Sequence, residues 1–301
     1  NFKKLFVSFI IFNIFYAVFY LYVKHSVGND SSISEYLINY KGGFTRRGLG
    51  GEVNILIANL FDLTLRQSIF IFQSTMHVTY LLLIFFYIRN LKLNIVQLFA
   101  LFSPIFLLYP IAEIEVLGRK DLLLFLLFIS SIFFAGSKYP PIFLNSIIFI
   151  FFPIVCLMWE EIVIFAPYFA VLIVFKNNLS NFKQVFYKLL IVFAPSIIIF
   201  SIIFIYPLSK AGHDEMCNYL LLTFGEQCYM SAKLLVSNTI YFDTFDFVHK
   251  NASLEHYFRY LMIFVIGFLP LNFLVNNNSF ITKSNFINNN FRLNLLFFIL
   301  Y

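Results

Sequence analysis

Charged residues are scarce in this chain. Only 12% of its 301 residues are Asp, Glu, Lys or Arg, against about 25% in an average soluble domain. Hydrophobic residues make up 60% of the chain, and 44 residues are Phe. So little polar side chain cannot cover a globule in water, which excludes an ordinary soluble protein. The apolar runs are continuous rather than alternating, which excludes a membrane β-barrel. The composition therefore predicts an all-α integral membrane protein.

Nine apolar runs predict a polytopic helical bundle of about eight to nine or more spans. They cover 5–23, 68–88, 94–112, 122–136, 142–158, 162–176, 189–208, 257–275 and the residues from 293 onward. The first run lacks a small-residue cleavage site and is interpreted as a retained span rather than a signal peptide. The last run reaches Tyr301, so we expect the chain to be truncated at its C-terminus. We predict a single membrane domain, 1–301, with two larger outer loops at 24–67 and 209–256.

Charges of opposite sign are separated along the chain. If the N-terminus is cytoplasmic and the spans alternate, the inner connectors hold ten cations and no acid, and all fifteen Asp and Glu fall outside. The inner cations are Lys3, Lys4, Arg89, Lys92, Lys138, Lys176, Lys183, Lys188, Lys283 and Arg292. This pattern follows the positive-inside rule. It accounts for the net charge of +6 without a nucleic-acid partner.

Three charged groups lie beside predicted spans on the outer side. They are Lys41, Arg46, Arg47 and Glu52 in "YKGGFTRRGLGGE"; Glu113, Glu115, Arg119, Lys120 and Asp121 in "EIEVLGRKD"; and Glu160 and Glu161 in "WEE". Ionisable residues near the membrane core usually face a cavity and mark a substrate path. Two adjacent carboxylates do not point the same way on a helix, so we expect only one of Glu160 and Glu161 to enter such a cavity.

The five glycines of the first group permit close backbone approach and positive φ. They predict a concavity of backbone amides that binds an oxyanion together with the nearby cations. The predicted phosphate- or substrate-binding residues are Lys41, Arg46, Arg47, Arg119 and Lys120. The alternative is a flexible loop whose arginines lie at the level of the lipid headgroups.

The oxyanions met at the outer leaflet are phospholipid headgroups and the phosphate or pyrophosphate of a polyprenyl-linked saccharide. Glycosyl transfer from such a carrier needs a carboxylate that accepts a proton and cations that stabilise the leaving phosphate. The candidate catalytic carboxylates are Glu52, Asp121, Glu160 and Glu161. For any one of them, a solvated or paired acid in a loop is the competing interpretation.

The layout of the chain, with "GGFTRRGLGGE", "GRKD" and "WEE", resembles bacterial surface-polysaccharide assembly proteins. The nearest types are the repeat-unit polymerases for O-antigen or capsule and the C-type polyprenyl-phosphate-sugar-dependent glycosyltransferases. The resemblance implies an inner-membrane enzyme that transfers or polymerises undecaprenyl-linked sugars at the periplasmic face. It also implies a catalytic acid early in the first outer loop, often in an acidic pair. The acids of this loop are single: Asp30, Glu35 and Glu52.

Two other functions remain open, a transporter or flippase of lipid-linked saccharides and a non-catalytic membrane subunit. A transporter is expected to carry charges near the bilayer midplane and to contain internal repeats. Here the charges lie on one side and no repeat is visible, which favours the enzyme.

The second outer loop contains two of the three cysteines, Cys217 and Cys228. On the oxidising side of the membrane they predict a disulfide, with free thiols as the alternative. The histidines of this loop lie among acids and give only a weak indication of a divalent cation, so no metal or cofactor is predicted. His77 lies within a predicted span, where we expect it to hydrogen-bond a neighbouring helix.

Overall fold

The computed structural model describes residues 2–26, 31–89, 102, 107, 116–233, 235–236, 253–255, 257–258 and 261–262. Within these ranges the chain is helical and contains no strand. The helices are α1 (Phe2–Ser26), α2 (Ser31–Glu35), α3 (Gly48–Phe61), α4 (Leu65–Ile88), α5 (Asp121–Gly136), α6 (Pro141–Met158), a 3₁₀ helix (Glu160–Phe165), α7 (Ala166–Lys176), α8 (Phe182–Ile205), α9 (Lys210–Phe224) and α10 (Met230–Lys233). The predicted spans at 94–112, at 257–275 and from 293 onward lie largely or wholly outside the described residues.

Four of these helices are long and apolar enough to cross a membrane. They cover Lys4–His25, Leu65–Ile88, Pro141–Met158 and Phe182–Ile205. Two further apolar helices, α3 and α5, are shorter. The outer face of α8 exposes Ile191, Ile198 and Ile205 at every seventh residue, as expected of a helix in contact with lipid. These features fit a helical membrane protein, whereas the predicted number of eight or nine spans is not confirmed.

The largest core cluster surrounds α6, which contacts α5, α7 and α8. The ring of Phe152 on α6 packs edge-on against Phe169 of α7 and against Phe193 of α8, with centroids 5.2 Å apart in both pairs. Edge-to-face contacts of this kind add to the dispersion energy that holds apolar helices together. The high Phe content of the chain therefore supplies contacts between helices as well as a surface for lipid.

One end of the bundle, here called the acidic end, gathers the end of α1, the start of α5 and the end of α6. Nζ of Lys24 on α1 donates to the carbonyl oxygen of Leu117, at 3.1 Å. Three residues further on, Lys120 precedes α5 and donates to the carbonyl oxygen of Arg47. Arg47 in turn contacts Glu160, which follows α6. The helix ends that carry carboxylates thus meet on one side of the bundle.

The opposite end, here called the basic end, joins the C-termini of α5 and α7 to the start of α6. Nζ of Lys176 on α7 donates to the carbonyl oxygen of Ser137, at 2.5 Å. The side-chain amides of Asn145 on α6 and Asn177 also donate to each other. The carboxylates of the helix ends described here therefore lie at the acidic end, together with their cationic partners, whereas Lys176 lies at the basic end.

The segments predicted as outer loops contain helices of their own. In 24–67, α2 and α3 are formed, and in 209–256, α9 and α10. Ile55 and Ala58 of α3 share a core cluster with Leu65 at the start of α4. The start of α4 lies beside the end of α1, where Phe70 contacts Tyr22. Since α3 ends only a few residues before α4 begins, both ends of α3 lie near the acidic end. We infer that α3 lies across this end of the bundle and does not span it.

Close backbone packing explains the glycines around α3. A Cβ on Gly51 would overlap the carbonyl oxygen of Ile38. Gly42 and Gly212 face each other in the same way, since a Cβ on either would overlap the carbonyl oxygen of the other. The second contact places the first turn of α9 on the turn that precedes α3. These glycines therefore allow close contact between backbone segments. The sequence predicts a different role for Gly42 and Gly51, in a concavity of backbone amides that binds an anion.

We expect Gly51→Ala to destabilise the protein because the added methyl group meets backbone that cannot rotate away. Overpacking of this kind costs ~1–3 kcal/mol. The measurement is the midpoint of thermal unfolding of the detergent-purified protein. Gly136→Ala is the matched control, because a Cβ at that helix position meets no atom within 4 Å. Equal midpoints for the two variants would contradict the packing role of Gly51.

Candidate functional site

Eight ionisable side chains converge at the acidic end, and we call them the charged cluster. They are Glu35, Arg46, Arg47, Arg119, Lys120, Asp121, Glu160 and Glu161. They come from the end of α2, the segment before α3, the start of α5 and the 3₁₀ helix after α6. The structure thus brings together "TRRG", "GRKD" and "WEE", which lie far apart in the sequence.

The centre of the charged cluster is the contact between Arg47 and Glu160. Nε of Arg47 donates to both carboxylate oxygens of Glu160, at 2.9 and 3.0 Å. Nη1 of Arg46 lies 3.4 Å from the same carboxylate. The side chain of Glu160 is only 3% exposed, so its charge is balanced by guanidinium rather than by water.

These contacts keep both groups ionised. Burial alone would raise the pKa of Glu160, but the charge and hydrogen bonds of Arg47 hold it below its usual value. Burial would likewise lower the pKa of Arg47, yet Glu160 raises it above its usual value. Glu160 is therefore a poor proton acceptor, because its oxygens are occupied and its affinity for a proton is reduced.

Arg47 also contacts two further carboxylates. Its Nη2 donates to Glu161 at 3.0 Å, and its Nη1 lies 3.7 Å from Glu35. The backbone of Arg47 is in the left-handed region, with φ 64°, a conformation that non-glycine residues rarely adopt. This conformation places the guanidinium among carboxylates from two separate segments. Glu161 is 49% exposed, so the two adjacent acids of "WEE" differ sharply in their access to solvent.

Lys120 is fully buried beneath Arg47. Its Nζ donates to the carbonyl oxygen of Arg47 at 3.1 Å and lies 5.2 Å from the ring centroid of Tyr36. Burial lowers the pKa of Lys120 to about 7. Lys120 therefore contacts the backbone at the start of α3. The sequence predicts that Lys120 binds a phosphate, but its side chain has no exposed surface.

Arg119 and Asp121 form the more accessible part of the charged cluster. Nε of Arg119 lies 3.4 Å from Oδ2 of Asp121, and the two side chains are 43% and 27% exposed. Partial burial, with the nearby charges of Glu35 and Glu161, raises the pKa of Asp121 despite the opposing effect of Arg119. A carboxylate with a raised pKa and some access to solvent is suited to accept a proton.

Lys41 and Glu52 pair with each other rather than with the rest of their predicted group. Nζ of Lys41 lies 3.5 Å from Oε1 of Glu52 and 5.3 Å from the ring centroid of Tyr219 on α9. The backbone N–H of Tyr40 donates to Glu52 at 3.3 Å. Glu52 thus holds the turn before α3, a contact that favours a structural role. Asp30, Glu113 and Glu115 lie outside the described residues.

The segment after α8 is tied to the same end of the bundle. Cys217 on α9 and Cys228 are joined in a disulfide, with Cα atoms 5.3 Å apart. Arg66 at the start of α4 donates to Glu226 at 2.6 and 3.0 Å. This ion pair is not predictable from the sequence, because nothing in either segment indicates a partner 160 residues away.

Among the described residues, one group of three potential metal ligands lies close together, namely His213, Cys217 and Cys228, of which the two cysteines are joined in the disulfide. The predicted disulfide between the cysteines is present, and His213 lies one helical turn before Cys217 on α9. The carboxylates of the charged cluster instead contact guanidinium groups. Comparisons of the chain with protein-family models, with curated proteins and with solved structures find no match.

We expect Glu160→Gln to destabilise the protein by about 3 kcal/mol, because the substitution leaves a mostly buried guanidinium without its main counter-charge. Glu161→Gln removes a half-exposed partner and should cost about 0.5 kcal/mol. Thermal unfolding of the two purified variants measures the difference. If both variants unfold at the same temperature, Glu160 is not the residue that compensates Arg47.

Lys120 makes the stability depend on pH in a defined direction. Its folded-state pKa of about 7 lies below the value of about 10.4 expected in an unfolded chain. Between these values the unfolded chain binds more protons, so stability rises with pH across this window. We expect Lys120→Met to have a smaller rise than the unsubstituted protein when unfolding is followed at several pH values within it.

Lys138→Met is the matched control for this measurement, because Lys138 is exposed at the other end of the bundle. The control should retain the pH dependence of the unsubstituted protein. If the Lys120→Met variant also retains this pH dependence, the lowered pKa of Lys120 is not its cause.

Proposed function

We propose that the protein is a membrane enzyme that transfers or polymerises polyprenyl-linked sugars at its acidic end. The observation that carries the proposal is the Arg119–Asp121 pair, which is partly exposed beside the enclosed Arg47–Glu160 contact. Transfer from a lipid phosphate requires one group that accepts a proton and one that stabilises a leaving phosphate. Both are present within 3.4 Å of each other at this position.

The roles follow from accessibility and charge. Asp121 takes the proton from the attacking hydroxyl group, because its raised pKa favours proton uptake. The guanidinium of Arg119 contacts the phosphate as negative charge develops on the leaving oxygen. Arg47 and Glu160 hold α3 against the 3₁₀ helix and act as positioning residues. Glu161, half-exposed, is the second candidate for the base.

The location of the site supports a lipid-linked substrate. The charged cluster lies where membrane-length helices end, at the depth of lipid headgroups if these helices cross the bilayer. A carrier phosphate would reach Arg119 while its chain stays among lipid tails. We further propose that the acidic end faces the periplasm of a bacterial inner membrane and that the N-terminus is cytoplasmic. The cations at the basic end favour this orientation.

The single tryptophan of the chain provides a test of phosphate binding. Trp159 precedes Glu160 and is nearly buried, so its fluorescence reports changes beside the charged cluster. Undecaprenyl phosphate titrated into nanodiscs that contain the protein should change this emission in a saturable way, and undecaprenol should not. Arg119→Gln should reduce the affinity by about 10-fold, the effect of one charge-assisted contact. Equal responses to both lipids would contradict the phosphate site.

We expect Asp121→Asn to abolish sugar transfer, with a loss of about 10²–10⁴-fold, the usual contribution of a general base. The readout is surface polysaccharide in a deletion strain complemented with each variant, with the amount of protein in the membrane measured alongside. Glu52→Gln is the matched control, because Glu52 pairs with the turn before α3, and it should retain activity. Full activity of both Asp121→Asn and Glu161→Gln would exclude these two carboxylates as the base.

One observation favours a transporter of the same substrates as the second candidate. Asn13 and His77 are buried inside membrane-length helices, and Oδ1 of Asn13 and Nε2 of His77 have no hydrogen-bond partner among the described residues. Phe6 stacks on Phe85 of α4, and Tyr22 near the other end of α1 contacts Phe70. α1 and α4 are therefore antiparallel, and the two polar atoms lie at similar depth.

A polar site at mid-depth is typical of a substrate path through a membrane protein. Asn13→Leu and His77→Leu separate the two functions. Both variants should keep sugar transfer in detergent if the protein is an enzyme of the acidic end. The transporter would instead be supported by two results together. The unsubstituted protein would show no sugar transfer, and the two variants would lose movement of the substrate across vesicle membranes.

A further inference from the structure

The disulfide between Cys217 on α9 and Cys228 has a histidine beside it that could serve as a third metal ligand. Nε2 of His213 lies 3.5 Å from Sγ of Cys217, one helical turn away. The nitrogen and the two sulfurs all lie within 4.8 Å of one another. In a tetrahedral zinc site the bond lengths require neighbouring sulfur and nitrogen ligands to be about 3.6 Å apart. The His213–Cys217 spacing already meets this requirement.

A second observation concerns the other ring nitrogen of His213. Nδ1 lies 3.1 Å from Oδ1 of Asp214. Metal-bound histidines commonly donate their second N–H to a carboxylate, which fixes the tautomer and the orientation of the ring. Sγ of Cys217 lies 3.5 Å from Nε2 and 3.9 Å from Nδ1, so the sulfur lies beside the ring, and a rotation of the imidazole is needed to direct the lone pair of Nε2 towards a shared metal ion. The contact with Asp214 occupies Nδ1 and leaves Nε2, the nitrogen nearer to Cys217, for a metal ion.

We propose that His213, Cys217 and Cys228 form a metal site when the Cys217–Cys228 disulfide is reduced. A dithiol reductant supplies two electrons and two protons, breaks the S–S bond to give two thiols, and is itself oxidised to a disulfide. The metal ion then displaces one proton from each thiol and binds two thiolates and Nε2. Since the Cα atoms are 5.3 Å apart, rotation of the side chains is sufficient to separate the sulfurs.

The ligand set selects the class of metal. Two thiolates and an imidazole favour Zn²⁺ or Cu⁺ over Mg²⁺ or Ca²⁺, which prefer oxygen ligands. Three protein ligands leave a fourth position for water or another group. Oxidation removes both sulfur ligands at once, so the oxidised protein has no such site. The same three residues therefore exist in two exclusive states, a disulfide and a metal site.

The test uses Co²⁺ as a spectroscopic probe of the full-length chain in detergent. After reduction with a phosphine and removal of the reductant, we expect one equivalent of Co²⁺ to give the visible bands of tetrahedral cobalt and thiolate charge transfer. Zn²⁺ should displace it. The oxidised protein should show neither band. If the reduced chain shows no such bands, folded or unfolded, the proposal is wrong.

Variants separate this site from binding by any free thiol. His213→Ala should weaken Co²⁺ binding by at least 10-fold while leaving the disulfide intact in the oxidised protein, which shows that the variant folds. Asp214→Asn should weaken it by about 10-fold, as expected for loss of a carboxylate behind a metal-bound histidine. Cys156→Ser is the matched control, because Cys156 is the remaining cysteine and is buried in α6. Unchanged affinity in His213→Ala would exclude the three-ligand site.

Discussion

The acidic end of the protein depends on one contact, between the guanidinium of Arg47 and the carboxylate of Glu160. It joins two segments 113 residues apart and holds α3 against the 3₁₀ helix that follows α6. Each group is largely removed from water, so each offsets the cost of desolvating the other. Around this pair the remaining charges are ordered by depth: Lys120 lies beneath the backbone of Arg47, and Arg119 and Asp121 lie towards solvent.

The parts of the fold that the sequence predicted are those set by length and apolarity alone. α1, α4, α6 and α8 coincide with long apolar runs, and such helices need no information about their partners. α3 lies in the segment 24–67, predicted as an outer loop, and three of its first four residues are glycines, which disfavour isolated helices. Its stability comes from packing on α4 and from close contact with Ile38, and neither can be read from local sequence.

The members of the charged cluster were identified as candidates, but their pairing was not predictable. Arg119 and Lys120 are adjacent and carry the same charge, so the sequence assigned both to a phosphate. At the start of α5 one side chain turns into the protein and the other towards solvent. The same divergence separates Glu160 from Glu161. Charge pairs this distant in the chain depend on how helices pack, which composition and spacing do not specify.

The balance of basic and acidic side chains in the charged cluster determines how an anion would enter it. Three guanidinium groups and Lys120, whose pKa is about 7, face four acidic groups, so the cluster has no excess of positive charge to attract an anion from a distance. An arriving phosphate would have to take the place of a carboxylate already bound to guanidinium. Capture would then proceed by ligand exchange at short range, and its rate would change little with ionic strength.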